Sequence, residues 1–175
     1  MRRVLCFLIL AAILLPAASM MADPKAYDPL TEDDFVFVFE GQAYCLGGPA
    51  LPLIEALQAA EPMDVFEAES CMFTGLDKEF QGKTLLIATY PIGPGGADVL
   101  ETIMAVGGDH QTARGIAIGA GMDDVIAAYG LDYILDYDQM MYAVGDALTE
   151  PVLVFHLDLE TCSVIGFHMM RNTLP

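Results

Sequence analysis

Two histidines and an aspartate near the C-terminus are the residues whose types and spacing could hold a metal ion. His156 and Asp158 alternate with apolar residues in "VLVFHLDL", and His168 lies in "SVIGFHMM". If residues 152–159 pair antiparallel with residues 163–170, all three side chains share one face, because alternate strand residues point the same way. Two imidazoles and a carboxylate are ligands that zinc and other transition metals accept.

The same hairpin also has an ordinary structural interpretation, which the sequence favours. The pairing puts Ile165 on the apolar face and Val164 beside the histidines, and a slip of one residue would separate the histidines. No GxSxG or HExxH motif is present, and no nucleophile lies next to either histidine. We therefore predict a non-catalytic protein without a cofactor. A metal-dependent enzyme that uses His156, His168 and Asp158 is the alternative.

Three glycines precede a predicted helix in "TARGIAIGAGMDDVIAAYG", residues 112–130. A phosphate-binding loop needs a lysine after its last glycine, but Gly121 is followed by a methionine and two aspartates. Carboxylates in a first turn favour the positive end of the helix dipole. Apolar residues at helical spacing predict a helix at 122–129 that ends before Gly130. The glycines are expected to serve tight turns and close packing.

An earlier segment repeats this pattern. "YCLGGPALPLIEAL" (44–57) aligns with "IAIGAGMDDVIAAY" (116–129), and downstream "LLIATY" falls on "LVFHLD" and "VLETIMAV" on "VIGFHMMR". Each segment is a glycine turn, a helix and then short apolar or alternating runs that are typical of strands. We predict an α+β fold of two tandem helix-plus-antiparallel-sheet units, 23–110 and 111–175, that share one body.

The segment "ESCMFTGLDKEF" (69–80) predicts a strand followed by a turn. The residues around Cys71 are strand-like, which favours a thiol in the core or in a disulfide over a nucleophile. In the turn, Lys78 lies between Asp77 and Glu79, and a local ion pair is expected there.

The N-terminus predicts export. Two arginines precede an unbroken apolar run at 4–15, followed by a proline and small residues, which is typical of a secretory signal. The run is shorter than the roughly 20 residues that a spanning helix needs. We predict a signal peptide at 1–22, cleaved before Met20 or after Ala22, and a secreted or cell-envelope protein. An uncleaved signal segment is the alternative and would be the protein's only contact with the membrane.

Charge narrows the choice of partner. The 175 residues include 7 Lys and Arg and 25 Asp and Glu, a formal net charge of −18. Such a field repels nucleic acid and anionic lipid, because both are bound through their phosphates. No nucleic-acid partner is predicted. The expected partner is an extracellular or envelope protein or peptide of unknown identity, and a basic surface on it would suit this charge.

An exported protein can form disulfides, so its cysteines matter. Cys45, Cys71 and Cys162 lie outside the predicted signal peptide, and their number is odd. One bridge and one buried free thiol is the simplest prediction. Cys45 with Cys71 is the preferred pair, but sequence separation does not exclude the pairings with Cys162.

Three segments carry a family resemblance. "ESCMFTGLDKEF", "IATYP" and "TARGIAIGAGMDDVIAAYG" resemble signatures of uncharacterised exported proteins and lipoproteins of gut Clostridia and other Firmicutes. The order of elements resembles the fold of beta-lactamase inhibitor protein and of small SmpA/OmlA-type envelope lipoproteins. This resemblance implies a secreted or envelope location and no established activity. It adds an extracellular enzyme inhibitor as an alternative function, although no inhibitory contact motif is matched. A lipid anchor is not implied, because no cysteine follows the apolar run.

Overall fold

The computed structural model describes residues 27–145 and 151–171. The predicted signal peptide at 1–22 lies outside these residues. In chain order the elements are the 3-10 helix Glu32–Phe35, β1 (Val36–Phe39), β2 (Gln42–Cys45), α1 (Leu51–Ala60), β3 (Asp64–Glu69), β4 (Leu76–Gln81), β5 (Leu85–Tyr90), the 3-10 turn Pro94–Gly96, β6 (Val99–Ala105), α2 (Met122–Tyr129), β7 (Ile134–Asp136), β8 (Gln139–Ala143), β9 (Val152–Leu157) and β10 (Val164–Met170).

Eight of the strands form one antiparallel sheet in the order β3-β4-β5-β6-β10-β9-β8-β7. β1 and β2 form a separate two-stranded hairpin. The central pair, β6 with β10, joins strands that are far apart along the chain. The predicted α+β class is confirmed at this level: two helices, a large antiparallel sheet and a small one.

The structure places α2 at the residues predicted from the sequence, 122–129. α1 has a proline in its first turn and buries Leu53, Ile54 and Leu57. At the start of α2, the Gly121 N–H donates to the Asp124 carboxylate at 2.9 Å, which satisfies an amide that the helix leaves unpaired. Beyond its end, Gly130 has a φ of 92°, a conformation that glycine adopts without steric cost.

The core lies between the two helices and one face of the large sheet, which we call the covered face. Alternate residues of the central strands point into this layer, as strand geometry requires. They form one cluster with the buried residues of α1 and α2. On the sheet side its members include Leu85, Ile87, Ile103, Ala105, Leu153, Phe155, Phe167 and Met169.

Arg114 ties the N-terminal segment to the end of α2. Its Nε and Nη2 donate to the Asp34 carboxylate at 2.6 and 2.8 Å. Its remaining hydrogen bonds reach the backbone carbonyls of Asp28, Pro29 and Ala128. Burial opposes ionisation of Asp34, but hydrogen bonds from Arg114 and Thr31 outweigh it and hold the pKa of this carboxyl below its ordinary value of 3.8. The five donors of this guanidinium are therefore engaged inside the protein.

The segment at 69–80 differs from its prediction. β3 ends at Glu69, and the residues around Cys71 form a loop in which the Ser70 hydroxyl accepts the N–H groups of Met72 and Phe73. The expected turn is instead strand β4. The local ion pair is wrong, because Lys78 pairs with Asp98 at 2.8 Å.

The cysteines also differ from their prediction. Cys45, Cys71 and Cys162 are free thiols, and all three are exposed. Cys45 alternates with the buried Tyr44 in β2, so it points outward. The expected buried thiol is wrong, and the preferred bridge between Cys45 and Cys71 is not formed.

Candidate binding surface and histidine pair

Within residues 27–145 and 151–171, no helix packs on the second face of the eight-stranded sheet, and we call it the open face. Because both helices belong to the core cluster on the covered face, the residues that alternate with that core point away from them. In β5, for example, Leu85, Ile87 and Thr89 are buried, and the residues between them are only partly buried. The open face is therefore a broad sheet surface.

Directly opposed residues form a row on this face that crosses all eight strands. From β3 to β7 the row reads Asp64, Gln81, Leu86, Met104, His168, Val154, Met141 and Ile134. Its centre is apolar apart from His168, and its β3 end is polar. Opposed side chains on one sheet face contact one another, so the centre of the row is an apolar stripe that only His168 interrupts. Leu86, Met104 and Met141 in this stripe are partly buried, and Val154 is 2 % exposed.

Charge on the open face has one sign. Its strand positions include Asp64, Asp77 and Glu79, and no Lys or Arg in the described part of the chain occupies one. Lys78 alternates with Asp77 and Glu79, and it pairs with Asp98. Lys83 lies in the β4–β5 turn. Arg114 and Arg171 bind Asp34 and Glu32. The face as described is apolar and acidic.

Asp77, Tyr90 and Glu101 form an acidic corner at the β4–β6 part of the open face. Glu101 is the extra residue of an irregularity in the β5–β6 pairing and accepts a hydrogen bond from Thr102. Burial, together with the charge of Asp77, raises the pKa of Glu101 despite that bond. One Asp77 oxygen is buried and has no hydrogen-bond partner in the described structure. The corner can therefore accept hydrogen bonds from a cation.

The acidic corner was not predicted from the sequence. The one sequence feature that marks this corner is a glutamate, Glu101, within the apolar run "VLETIMAV". A bulge changes the face to which a residue points. The bulge in the β5–β6 pairing could not be recognised from the sequence.

The two predicted histidines meet on the open face. His156 Nε2 lies 3.0 Å from His168 Nδ1, and the ring centroids are 5.1 Å apart. The pairing of β9 with β10 sets His156 opposite Gly166 and His168 opposite Val154, so the histidines are the expected diagonal neighbours. Burial, and then His156, lowers the pKa of His168 to about 4, so His168 is neutral at pH 7.

Asp158 does not join the histidines. Its carboxylate accepts the backbone N–H groups of Glu160 and Thr161 and the hydroxyl of Thr161. These bonds close the β9–β10 turn. Within the described ranges, no group of three or more His, Cys, Asp or Glu residues could hold a metal ion.

One register detail of this hairpin differs from its prediction. Val164 is buried and Ile165 is 50 % exposed, the reverse of the expected faces. The cause is an irregularity between Val164 and Gly166 that shifts the alternation. Gly166 suits this position, because a side chain there would meet the Ala105 carbonyl oxygen at 2.9 Å.

Few free backbone N–H groups remain in the glycine loop before α2 to bind an anion. The Gly119 N–H donates to the Val164 carbonyl at 2.7 Å, and the Met122 N–H donates to the Cys162 carbonyl at 3.0 Å. Helix N-termini bind anions through free amides, and these amides are occupied. The loop fastens α2 to the β9–β10 hairpin, which agrees with the structural role predicted for its glycines.

A cavity of about 480 Å³ lies between the N-terminal segment and the end of α2. Tyr27, Tyr129 and Tyr142 line it together with Asp28 and Asp132. The Tyr142 hydroxyl donates to the Gly130 carbonyl at 3.0 Å, and Arg114 lies 4.8 Å from the centre of the Tyr129 ring. No histidine or cysteine is among the lining residues, and we assign no chemistry to this cavity.

Comparison of the chain with models of protein families, with curated proteins and with solved structures finds no match. In the part of the chain that the structure describes, no helix has the length and apolar character needed to cross a bilayer. The inference of function therefore depends on the geometry of the open face.

Proposed function

We propose that this chain is a non-catalytic exported protein that binds another protein or a peptide on the open face of its large sheet. The apolar stripe that crosses the centre of this uncovered face carries the proposal. Apolar side chains grouped on a sheet face that no described helix covers are candidates for an interaction site. The exposed side chains Phe66 and Ile134 lie toward the two ends of the face, at 55 % and 59 % exposure.

Charge complementarity suggests what the partner presents. The open face combines apolar side chains with the carboxylates of Asp64, Asp77, Glu79 and Glu101, while the described cations lie elsewhere. A partner that places Lys or Arg beside apolar side chains would satisfy these carboxylates and cover the stripe. Complementary charge at the rim of an interface raises the association rate and makes it sensitive to salt.

We also propose that the fold consists of two tandem units, 23–110 and 111–175, that arose by duplication, as the resemblance to beta-lactamase inhibitor protein implies. Each helix is followed by four strands, and the last strands of the two runs, β6 and β10, pair at the sheet centre. An enzyme inhibitor remains a special case of the same proposal, in which the partner is an enzyme. Mass spectrometry of protein recovered from the medium would test export by locating the cleavage site before Met20 or after Ala22.

A peptide array of random sequence tests the binding proposal. We expect bound peptides to be rich in Lys or Arg next to apolar residues. Phe66 and Glu79 are opposite each other on the open face and are both exposed. Phe66→Ala and Glu79→Lys should each weaken binding about tenfold, because one removes an exposed apolar side chain from the proposed contact surface and the other reverses its charge.

Matched controls come from the helix layer. Leu51 of α1 and Asp123 of α2 are an exposed apolar residue and an exposed acid that lie away from the open face. Leu51→Ala and Asp123→Lys should leave peptide binding unchanged. If the four variants lose binding equally, or if bound peptides lack cationic residues, the assignment of the surface is wrong.

A further inference from the structure

We propose that His156 and His168 form a two-ligand site for a divalent transition metal ion, Zn²⁺ or Cu²⁺, on the open face. The observation that carries the proposal is the separation of 3.0 Å between His156 Nε2 and His168 Nδ1. Imidazole nitrogen is a ligand that both ions accept readily. This inference does not depend on the binding function proposed above.

The separation fits two nitrogens on one ion. Ligand nitrogens about 2.0 Å from a metal are about 2.8 Å apart at a right angle and about 3.3 Å apart at a tetrahedral angle. The observed distance lies between these values, so one ion could bind both nitrogens once the rings turn their lone pairs toward it. The same distance also suits a hydrogen bond between two neutral imidazoles, and the experiment must distinguish the two.

The surroundings leave room for further ligands. His156 faces Gly166 on one side, which has no side chain, and Gln139 of β8 on the other. Both histidines are only partly buried and lie on the open face. Two protein ligands leave at least two positions of a four-coordinate ion for water or for a donor from another molecule.

Metal binding requires a change of tautomer in one of the two rings. In the hydrogen-bonded pair, one of the two facing nitrogens carries a hydrogen and the other accepts it. When an ion binds, that hydrogen must move to the other nitrogen of the same ring, so that both facing nitrogens present lone pairs.

Thiols would compete for both ions, so the test uses the full chain with its four cysteines replaced by serine. Titration calorimetry with Zn²⁺ alone should show one ion per chain. His156→Ala and, separately, His168→Gln should each weaken binding at least about tenfold, because each removes one of two ligands. The third histidine provides the control: His110 bonds to Thr84, away from this pair, and His110→Ala should leave Zn²⁺ affinity unchanged.

A second measurement needs no histidine variant. Electron paramagnetic resonance of the serine background loaded with Cu²⁺ should show coupling to two imidazole nitrogens. Circular dichroism of each variant checks that it is folded. No measurable Zn²⁺ binding, binding that persists in folded His156→Ala, or a Cu²⁺ spectrum without nitrogen coupling would overturn the proposal. Repeating the peptide array with and without Zn²⁺ keeps the two functions separate, because either can fail while the other holds.

Discussion

Both faces of the large sheet are apolar at their centres, but they differ in burial and in the presence of a titratable side chain. On the covered face, Ile87, Ile103 and Phe155 are fully buried against the helices. On the open face, Met104 is only partly buried, and His168 lies in the middle of the stripe. A closely packed core excludes such titratable groups unless they are paired. This difference is the reason that we propose the open face as the binding surface.

Two carboxylates make the contrast sharper. Asp34, on the helix side, is held by Arg114, and its pKa is lowered. Glu101, on the open face, has no ion pair with a described Lys or Arg, and its pKa is raised, chiefly by burial. The first is stabilised as an anion by the fold itself. The described residues give the second no such stabilisation.

Neighbouring residues of β5 test the comparison most strongly. Ile87→Ala should lower the free energy of unfolding by about 2–5 kcal/mol, because it leaves a cavity in a closely packed layer. Leu86→Ala should lower it by about 1 kcal/mol or less, since solvent already reaches that side chain. Urea denaturation of both variants measures the difference. Equal losses would mean that the open face is packed as tightly as the core.

Removing the Arg114 side chain should have the next largest effect. Arg114→Met leaves the buried Asp34 carboxylate without its partner and should cost about 3 kcal/mol at pH 7. The pKa of Asp34 is lowered on folding, so its contribution is present above its ordinary pKa of 3.8 and is lost as pH falls through the lower native value. The difference in stability between wild type and variant should therefore narrow from pH 7 to pH 2, and what remains at pH 2 reflects the lost hydrogen bonds to the carbonyls of Asp28, Pro29 and Ala128. A gap that stays constant with pH would contradict this account.

Removing the charge of Glu101 should change stability in the opposite direction and by a smaller amount. Because its native pKa is raised, its ionisation destabilises the fold as pH rises through that value. Glu101→Gln should therefore be neutral to slightly stabilising at pH 7, by about 1 kcal/mol at most. The gain should disappear below the ordinary pKa of the side chain. Thermal denaturation at pH 7 and pH 3 measures both effects, and a clear loss of stability at pH 7 would refute this description of the acidic corner.

Periodicity predicted the parts of the fold where local and tertiary preferences agree. The helix at 122–129 followed from its apolar spacing and its flanking glycines, and the structure places α2 there. The meeting of His156 with His168 followed from strand alternation and a short turn. These predictions needed only neighbours along the chain or within one hairpin.

The failures came from side-chain hydrogen bonds and bulges. Around Cys71 the residues resemble a strand, but the Ser70 hydroxyl bonds to the next amides and turns the chain. The extra residue near Gly166 reversed the faces of Val164 and Ile165. Lys78 found Asp98 across the sheet, a partner that only the tertiary fold brings close. Alternation carries no information about such events.

The pairing of β6 with β10 also has a consequence for how the protein folds. β10 is synthesised after both helices and the other strands, so one edge of β6 has no strand beside it until then. Pairing between segments so distant along the chain is slow, and an exposed apolar strand edge invites aggregation meanwhile. While the chain is being made, this edge is where a chaperone would have most to protect.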